Sequence, residues 1–209
     1  MTIDPRPHDL VRLNLPEVLR SVEAPSWVAD SLKRAPWAVV HRREAKAGRC
    51  PVVIRGNARW QRFALDIGTA DYTTVVSPEE LADRGDELPD LPAVRTLRAV
   101  RRILDETGWC WGPTGGIGYQ IVTGEPTVTA DSDLDLAIRF DRLPPRDELR
   151  MLGAELRRLH GNPVRIDCLI ELPIGAIALG ELSVRHEHNL GARILLRTAS
   201  GPCLVRLGG

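Results

Sequence analysis

The run Asp133-Leu134-Asp135-Leu136 alternates acid with apolar residue, and it follows a Gly115-Gly116 turn within the stretch GGIGYQIVTGEPTVTADSDLDL. In an extended strand successive side chains point to opposite faces. Asp133 and Asp135 then share one face, and Leu134, Leu136 and Ile138 share the other, toward a core. Two carboxylates on one face repel each other when left bare, and divalent cations remove that cost. Magnesium suits such a pair, with manganese as the alternative, because it takes carboxylate and phosphate oxygens and keeps part of its water. Two such ions about 3.5–4 Å apart can clamp the attacking and leaving oxygens of an in-line displacement at phosphorus. A third acid, Asp167, lies in the apolar run Val164 to Ile170, where a carboxylate is anomalous unless paired or ligated. If that strand runs beside the first, Asp133, Asp135 and Asp167 converge as metal ligands and catalytic groups, and Asp167 can help draw the proton from the attacking hydroxyl. Glu171 shares the Asp167 face as a weaker candidate. A register pairing Asp131 with Asp133 is rejected, because Ser132 is polar where the strand wants an apolar residue. Asp131 and Ser132 read as the turn entering the strand.

Gly115 and Gly116 let the backbone approach a phosphate closely and offer its oxygens exposed N–H groups. Arg55, Arg59 and Arg62 surround a second glycine, Gly56, and are candidates for binding phosphates of the same substrate. The competing reading of these three is a solvated arginine face.

The elements that must hold these groups fall in two parts. Trp37–Val40, Pro51–Ile54 and Tyr72–Val76 read as strands of a small mixed N-terminal unit, residues 1–84, assigned to substrate and partner binding. Ser77-Pro78-Glu79-Glu80 has a serine cap, proline at the first helical position and acids in the first turn, so a helix starts there. The polar, proline-rich stretch 84–92 reads as a linker. A catalytic unit follows over 93–209. Val94, Leu97, Val100 and Leu104 recur at helical spacing. Tyr119–Val122 and Leu134–Phe140 read as strands, 144–160 as a helix, Val164–Leu172 as a strand, and the tail from Ile174 to Leu207 as further short elements, with Gly201-Pro202 a turn before Cys203–Leu207. The fold class this implies is α+β, with a small mixed N-terminal domain and a C-terminal mixed sheet flanked by helices.

Composition narrows the partners. The chain has 28 basic and 28 acidic residues, so its formal net charge is zero, which argues against a general nucleic-acid binder. Only Lys33 and Lys46 are lysines; arginine supplies the other basic side chains, a preference that suits bidentate phosphate contact or reflects coding bias. The four cysteines are dispersed and suggest neither a zinc site nor a disulfide framework. No apolar run approaches the ~20 residues that span a bilayer. A reducing cytoplasm, without membrane or nucleic-acid partner, is the expected setting. The pair His186 and His188 reads as a polar loop, His160 as a helix cap, and the five tryptophans as core or interface residues.

Gly115-Gly116 followed by Asp133-Leu134-Asp135-Leu136 resembles the signature of the nucleotidyltransferase superfamily related to DNA polymerase beta. Pro7-His8-Asp9-Leu10, Val53-Ile54-Arg55-Gly56 with Arg59 and Gln61-Arg62-Phe63, Trp111-Gly112-Pro113, and Leu195-Leu196-Arg197-Thr198 with Gly201-Pro202 narrow the resemblance. Across nearly the whole chain it is similar to the malonate decarboxylase holo-[acyl-carrier-protein] synthases, or phosphoribosyl-dephospho-CoA transferases. The resemblance implies transfer of a phosphoribosyl-dephospho-CoA group from 2'-(5''-triphosphoribosyl)-3'-dephospho-CoA to a serine of the acyl carrier subunit of malonate decarboxylase, with release of pyrophosphate. It also implies that Asp133 and Asp135 are the family's aspartates, and that Gly116 replaces a serine of many relatives. Two other functions remain open: an ATP-using nucleotidyltransferase acting on a small molecule or protein, and a binding module that has kept the fold without the catalysis.

Overall fold

The computed structural model describes residues 4–14, 23–58, 60–159, 164–185 and 193–206. The chain is α+β, with two sheets.

The first sheet is antiparallel, in the order β4-β3-β2-β1-β5, built from β1 (Leu10–Leu13), β2 (Trp37–Val40), β3 (Cys50–Arg55), β4 (Arg62–Ile67) and β5 (Tyr72–Val76). Alternation decides which side is buried. Val52 and Ile54 of β3 and Leu65 and Ile67 of β4 point inward, where α1 (Ser26–Arg34) covers them with Val28 and Leu32. Val28 and Leu32 stand four apart, one above the other on a helix face.

The second sheet has the order β11-β10-β9-β8-β7-β6, from β6 (Cys110–Pro113), β7 (Leu134–Arg139), β8 (Ile166–Leu172), β9 (Gly175–Ala178), β10 (Arg193–Thr198) and β11 (Gly201–Arg206). Only β7 and β8 run parallel, and the crossover this demands is α4, defined below. The helices are α2 (Pro92–Asp105), α3 (Gly115–Thr123), α4 (Arg146–Leu159) and α5 (Leu179–Arg185). Val94, Leu97, Val100 and Leu104 of α2 and Leu149, Leu152 and Leu156 of α4 form the buried stripes read from the sequence. They meet Leu134, Leu136 and Ile138 of β7 in one core.

Several expectations change. Tyr119–Val122 is not a strand but the body of α3, because Ile117 and Ile121 bury one helical face beneath β7. The two glycines therefore open a helix. The third strand begins at Ile166 rather than Val164. The stretch 84–92 contains a 3-10 helix, Arg84–Glu87, bound to α2 through Arg98 to Asp86 at 2.8 Å. The start at Ser77 yields a 3-10 helix, Pro78–Leu81, with Ser77 N–H donating to Glu80 Oε2 at 2.7 Å. Trp60 is 77% exposed, so of the expected core or interface placement it does not take the core. Trp111, by contrast, is buried, and its indole donates to Asp105 Oδ1 at 3.1 Å. All four cysteines are unpaired thiols. His160, His186 and His188 lie outside the described residues.

The two sheets are joined by close contact and by charge. Pro78–Leu81 packs so tightly on β6 that a side chain on Gly112 would meet Pro78 O at 1.8 Å. Arg139, at the end of β7, is buried and donates to Asp9 Oδ1 and to Pro7 O at 2.7 Å each, and to Glu79 at 2.8 Å. Burial raises the pKa of the Asp9 carboxyl above its ordinary value, while a hydrogen bond from the Arg6 backbone and the charge of Arg139 oppose the rise.

Candidate active site

Between the sheets lies a cleft of about 1070 Å³. The second sheet contributes Gly115, Gly116, Asp133 and Asp135 to its walls; the first contributes His8, Arg55 and Arg62, and α1 adds Arg34.

Asp135 sits inside β7, and Asp133 stands exposed one residue before that strand begins, at the end of the Asp131-Ser132 turn. The turn is held by Ser132 Oγ, which accepts from Thr129 N–H at 2.9 Å. Asp167 pairs in register with Asp135 across the parallel β7–β8 ladder, so the two strands run side by side. Asp167 is 47% exposed at its side chain, lies 3.7 Å from Arg165, and does not line the cleft. Among the described residues no three acid, histidine or cysteine side chains converge as a ready-made metal site.

The electrostatics of Asp135 bear on a cation. Burial, then the charges of Asp167 and Asp133, push its carboxyl above the ordinary carboxylate value, and Arg55 and His8 pull the other way. The acids are under-neutralised, and a divalent cation between Asp133 and Asp135 would relieve that repulsion. The donor set fits magnesium or manganese chemistry.

The N-terminus of α3 abuts Asp135. Thr114 N–H donates to Asp135 O at 2.9 Å, and the helix opens with Gly118 N–H donating to Thr114 O at 3.1 Å. The N–H groups of the first turn lack intrahelical acceptors, and an anion suits that end of a helix. Gly115 is left-handed, at φ +59°, and a Cβ there would fall 1.9 Å from Asp135 Oδ2. Only glycine lets the helix start this close to the acid.

A loop closes one wall. Gln120, buried on α3, accepts from Thr127 and Val128 N–H at 2.9 and 2.8 Å through Oε1, and Thr127 Oγ1 donates to Gly116 O at 2.7 Å. These bonds fix the segment leading to Asp133 against the helix that carries Gly116.

The first sheet reaches in through Arg55, whose Nη1 donates to Gly115 O at 2.9 Å while its guanidinium lies 5.2 Å from the Tyr119 ring centre. Burial, then Arg62, lowers its pKa, and Tyr119 and Asp135 oppose that. Arg62 lines the cleft and donates through Nη1 to Gln61 O at 3.1 Å. Arg59 lies outside the described residues. The solvated-face alternative does not hold for Arg55, which is held at the helix start.

Sequence reasoning missed Arg34, which donates to Asn57 Oδ1 at 2.7 Å and lies 3.4 Å from Glu125. It reads locally as the basic last turn of a helix, and only the tertiary fold brings it to the cleft. His8 was recognisable within a motif but carried no role. Glu171, the weaker candidate, has one oxygen 3.1 Å from His8 Nε2 and the other paired with Arg42.

Comparison with known proteins gives a consistent result. The profile of the phosphoribosyl-dephospho-CoA transferase MdcG C-terminal domain matches residues 80–207, and that of the corresponding N-terminal domain matches residues 6–78. The chain is 38% identical over 201 residues to the phosphoribosyl-dephospho-CoA transferase of Pseudomonas putida (strain W619), covering 96% of this chain and 93% of the relative. It is 38% identical over 203 residues to that of Pseudomonas aeruginosa PAO1, covering 96% and 92%. It is 37% identical over 209 residues to that of Klebsiella pneumoniae (strain 342), covering 98% and 96%. No solved structure matches the chain.

Proposed function

The chain belongs to the phosphoribosyl-dephospho-CoA transferase family, and from that premise we propose that it transfers the phosphoribosyl-dephospho-CoA group from 2'-(5''-triphosphoribosyl)-3'-dephospho-CoA to a serine of the malonate decarboxylase acyl carrier subunit, releasing pyrophosphate. The observation that carries this reading is the shared cleft. One wall offers an anion-seeking helix start beside Asp133 and Asp135, and the other brings Arg55 and Arg62. Its volume of about 1070 Å³ suits a substrate as large as a triphosphorylated CoA derivative.

The roles follow from position. Gly115 and Gly116 seat the triphosphate at the start of α3. Arg55 and Arg62, with Arg59, bind its phosphates, and the guanidinium geometry favours two-point contact. Asp133 and Asp135 would hold magnesium or manganese, and Asp167, in register with Asp135 on the neighbouring strand, would join them if it turned into the cleft; the metal would supply charge neutralisation at the phosphates. Most of the rate then comes from holding the reacting groups in line and from electrostatic complementarity. Residues 1–84 serve substrate and partner binding, and residues 93–209 serve catalysis. Unpaired cysteines fit a reducing cytoplasm. No helix among the described residues is long and apolar enough to cross a membrane. The partners in this reading are the carrier subunit and the nucleotide, with neither membrane nor nucleic acid.

The test is a transfer assay with purified protein, magnesium, apo carrier and the triphosphoribosyl substrate, read by intact mass of the carrier. A gain equal to the whole prosthetic group is expected. Addition of AMP from ATP alone would move the assignment to an ATP-using nucleotidyltransferase. An unmodified carrier in both tubes would defeat the reading.

A further inference from the structure

Three unusual features meet at one place that the roles above leave unused. His8 is the only non-glycine residue with positive φ among the described residues, at +74°. Such a conformation costs energy in a non-glycine residue and clusters at functional sites. Glu171 is a buried carboxylate, 6% exposed, whose oxygens are divided between His8 Nε2 and Arg42. His8 lines the same cleft as Asp135.

Local folding explains the placement. The Pro7-His8 turn is closed by Asp9 N–H donating to Arg6 O at 3.0 Å and by Arg6 N–H donating to Asp9 Oδ2 at 2.8 Å. His8 N–H donates to Val40 O at 3.0 Å, and Arg139 clamps the turn through Pro7 O and Asp9. The turn is therefore gripped by both sheets, and it directs the ring to Glu171 on β8.

The hydrogen bond also sets the tautomer. Burial alone would raise the Glu171 pKa, but the bond and charge of His8, with Arg42, outweigh burial and hold it below the ordinary value. An ionised carboxylate only accepts, so Nε2 is the nitrogen that donates to Glu171, and in the neutral ring Nδ1 is the nitrogen that can take a proton. A base oriented by a third group is the arrangement that activates hydroxyl nucleophiles.

The position along the sheet suits the reaction. Asp135 pairs with Asp167, and Arg139, four residues on, pairs with Glu171. Thr114 meets Asp135, and the helix start lies beyond it, toward Asp133. Along the strand axis the helix start and His8 thus flank Asp135 from opposite sides. A departing pyrophosphate held at the helix start leaves the attacking hydroxyl on the His8 side.

We propose that His8, oriented by Glu171, is the proton acceptor for the attacking serine hydroxyl, an inference that rests on the transfer reaction proposed above. The serine O–H bond breaks and its proton passes to Nδ1. The oxygen forms a bond to the α-phosphorus, and the bond from that phosphorus to pyrophosphate breaks, its electron pair leaving with pyrophosphate. The groups facing the imidazole are Glu171, Arg42, His41 and Asp135.

The experiment compares the wild-type chain with His8→Asn and His8→Ala in the carrier-transfer assay, measuring kcat and KM for each. Asparagine tolerates left-handed backbone and so preserves the turn. Loss of a general base predicts a fall in kcat of about 10²- to 10⁴-fold, with KM for the nucleotide unchanged. Added imidazole should restore part of the rate to His8→Ala, which a merely structural role would not allow. Wild-type turnover in His8→Asn, or a raised nucleotide KM with unchanged kcat, would overturn the assignment. So would failure of imidazole to rescue His8→Ala. A wild-type protein that modifies no carrier defeats the reading of function itself, and that outcome is visible before any variant is compared.

Discussion

Adjacent glycines at the start of α3 should respond in opposite ways to the same substitution. Gly115 has φ +59°, and a methyl group there meets Asp135 Oδ2 at 1.9 Å and Asp135 Cγ at 2.8 Å. Forcing an L residue into left-handed backbone costs about 1–2 kcal/mol. Overpacking against a held side chain adds about 1–3 kcal/mol. Gly115→Ala should therefore lose roughly 2–5 kcal/mol, a fall in Tm on the order of 4–20 °C for a chain of this size. At Gly116 the nearest atom to a new methyl group is Thr127 O at 3.6 Å, an ordinary contact. Replacing a helical glycine where the backbone permits it stabilises by about 0.4–1 kcal/mol. Gly116→Ala should thus melt at or slightly above the wild-type temperature. Its transfer kinetics should stay near wild type, since the family resemblance places a serine here in many relatives and the position has room for a Cβ. Thermal denaturation with transfer kinetics separates the two. A Gly115→Ala protein that melts and turns over as wild type would refute the close approach of helix and acid. A destabilised Gly116→Ala protein would refute the open space at the second position.

Asp133→Ala and Asp135→Ala should abolish transfer while circular dichroism stays native. Because Asp135 is raised above its ordinary value of 3.8, ionising it in the folded state costs stability as pH rises. Asp135→Asn should therefore match or exceed wild-type Tm at neutral pH, with the difference vanishing in acid; a lower Tm at neutral pH would contradict this. Arg139→Ala strands the buried Asp9 carboxylate and should cost about 3–5 kcal/mol in chemical denaturation. Adding Asp9→Asn should recover part of that loss, and simple additivity of the two changes would deny the coupling. Glu171 is held below its ordinary 4.5, so its contribution is complete above that pH and disappears as acid protonates it. The stability of Glu171→Gln should change less than wild type below pH 4.5; identical acid profiles would contradict the assignment. Arg55→Ala should raise KM for the triphosphoribosyl substrate more than Arg62→Ala does, since Arg55 is already placed at the helix start; equal KM values would remove that distinction.

The sequence reveals groups whose local pattern and tertiary role agree. Leu134, Leu136 and Ile138 alternate because β7 has one buried face, and the stripes on α2 and α4 follow the helical period for the same reason. Tyr119–Val122 misled because four apolar or amphipathic residues fit a short strand as well as a buried helix. The discriminating fact is the packing of Ile117 and Ile121 under β7, which arises only in the folded chain. The acid-leucine alternation places Asp135 in the cleft, and the strand begins at Leu134 as read, with Asp133 just ahead of it in the entering turn. The proximity of Asp167 to Asp135 depends on a parallel pairing that its own segment cannot specify. Arg34 and the pairing of His8 with Glu171 were illegible for the same reason, although Glu171 itself was legible as a weaker candidate beside Asp167. Each is ordinary in its local segment, and their meeting requires two sheets, with 163 residues of chain separating His8 from Glu171.

The most direct measurement is a crystal structure of the protein with manganese and a non-hydrolysable triphosphoribosyl-dephospho-CoA analogue, using anomalous scattering to locate the metal. A manganese peak is expected between Asp133 and Asp135, with the terminal phosphates at the Gly115–Gly116 helix start and Arg55 on the phosphates. Triphosphate bound away from that helix start, or manganese remote from both aspartates, would contradict it.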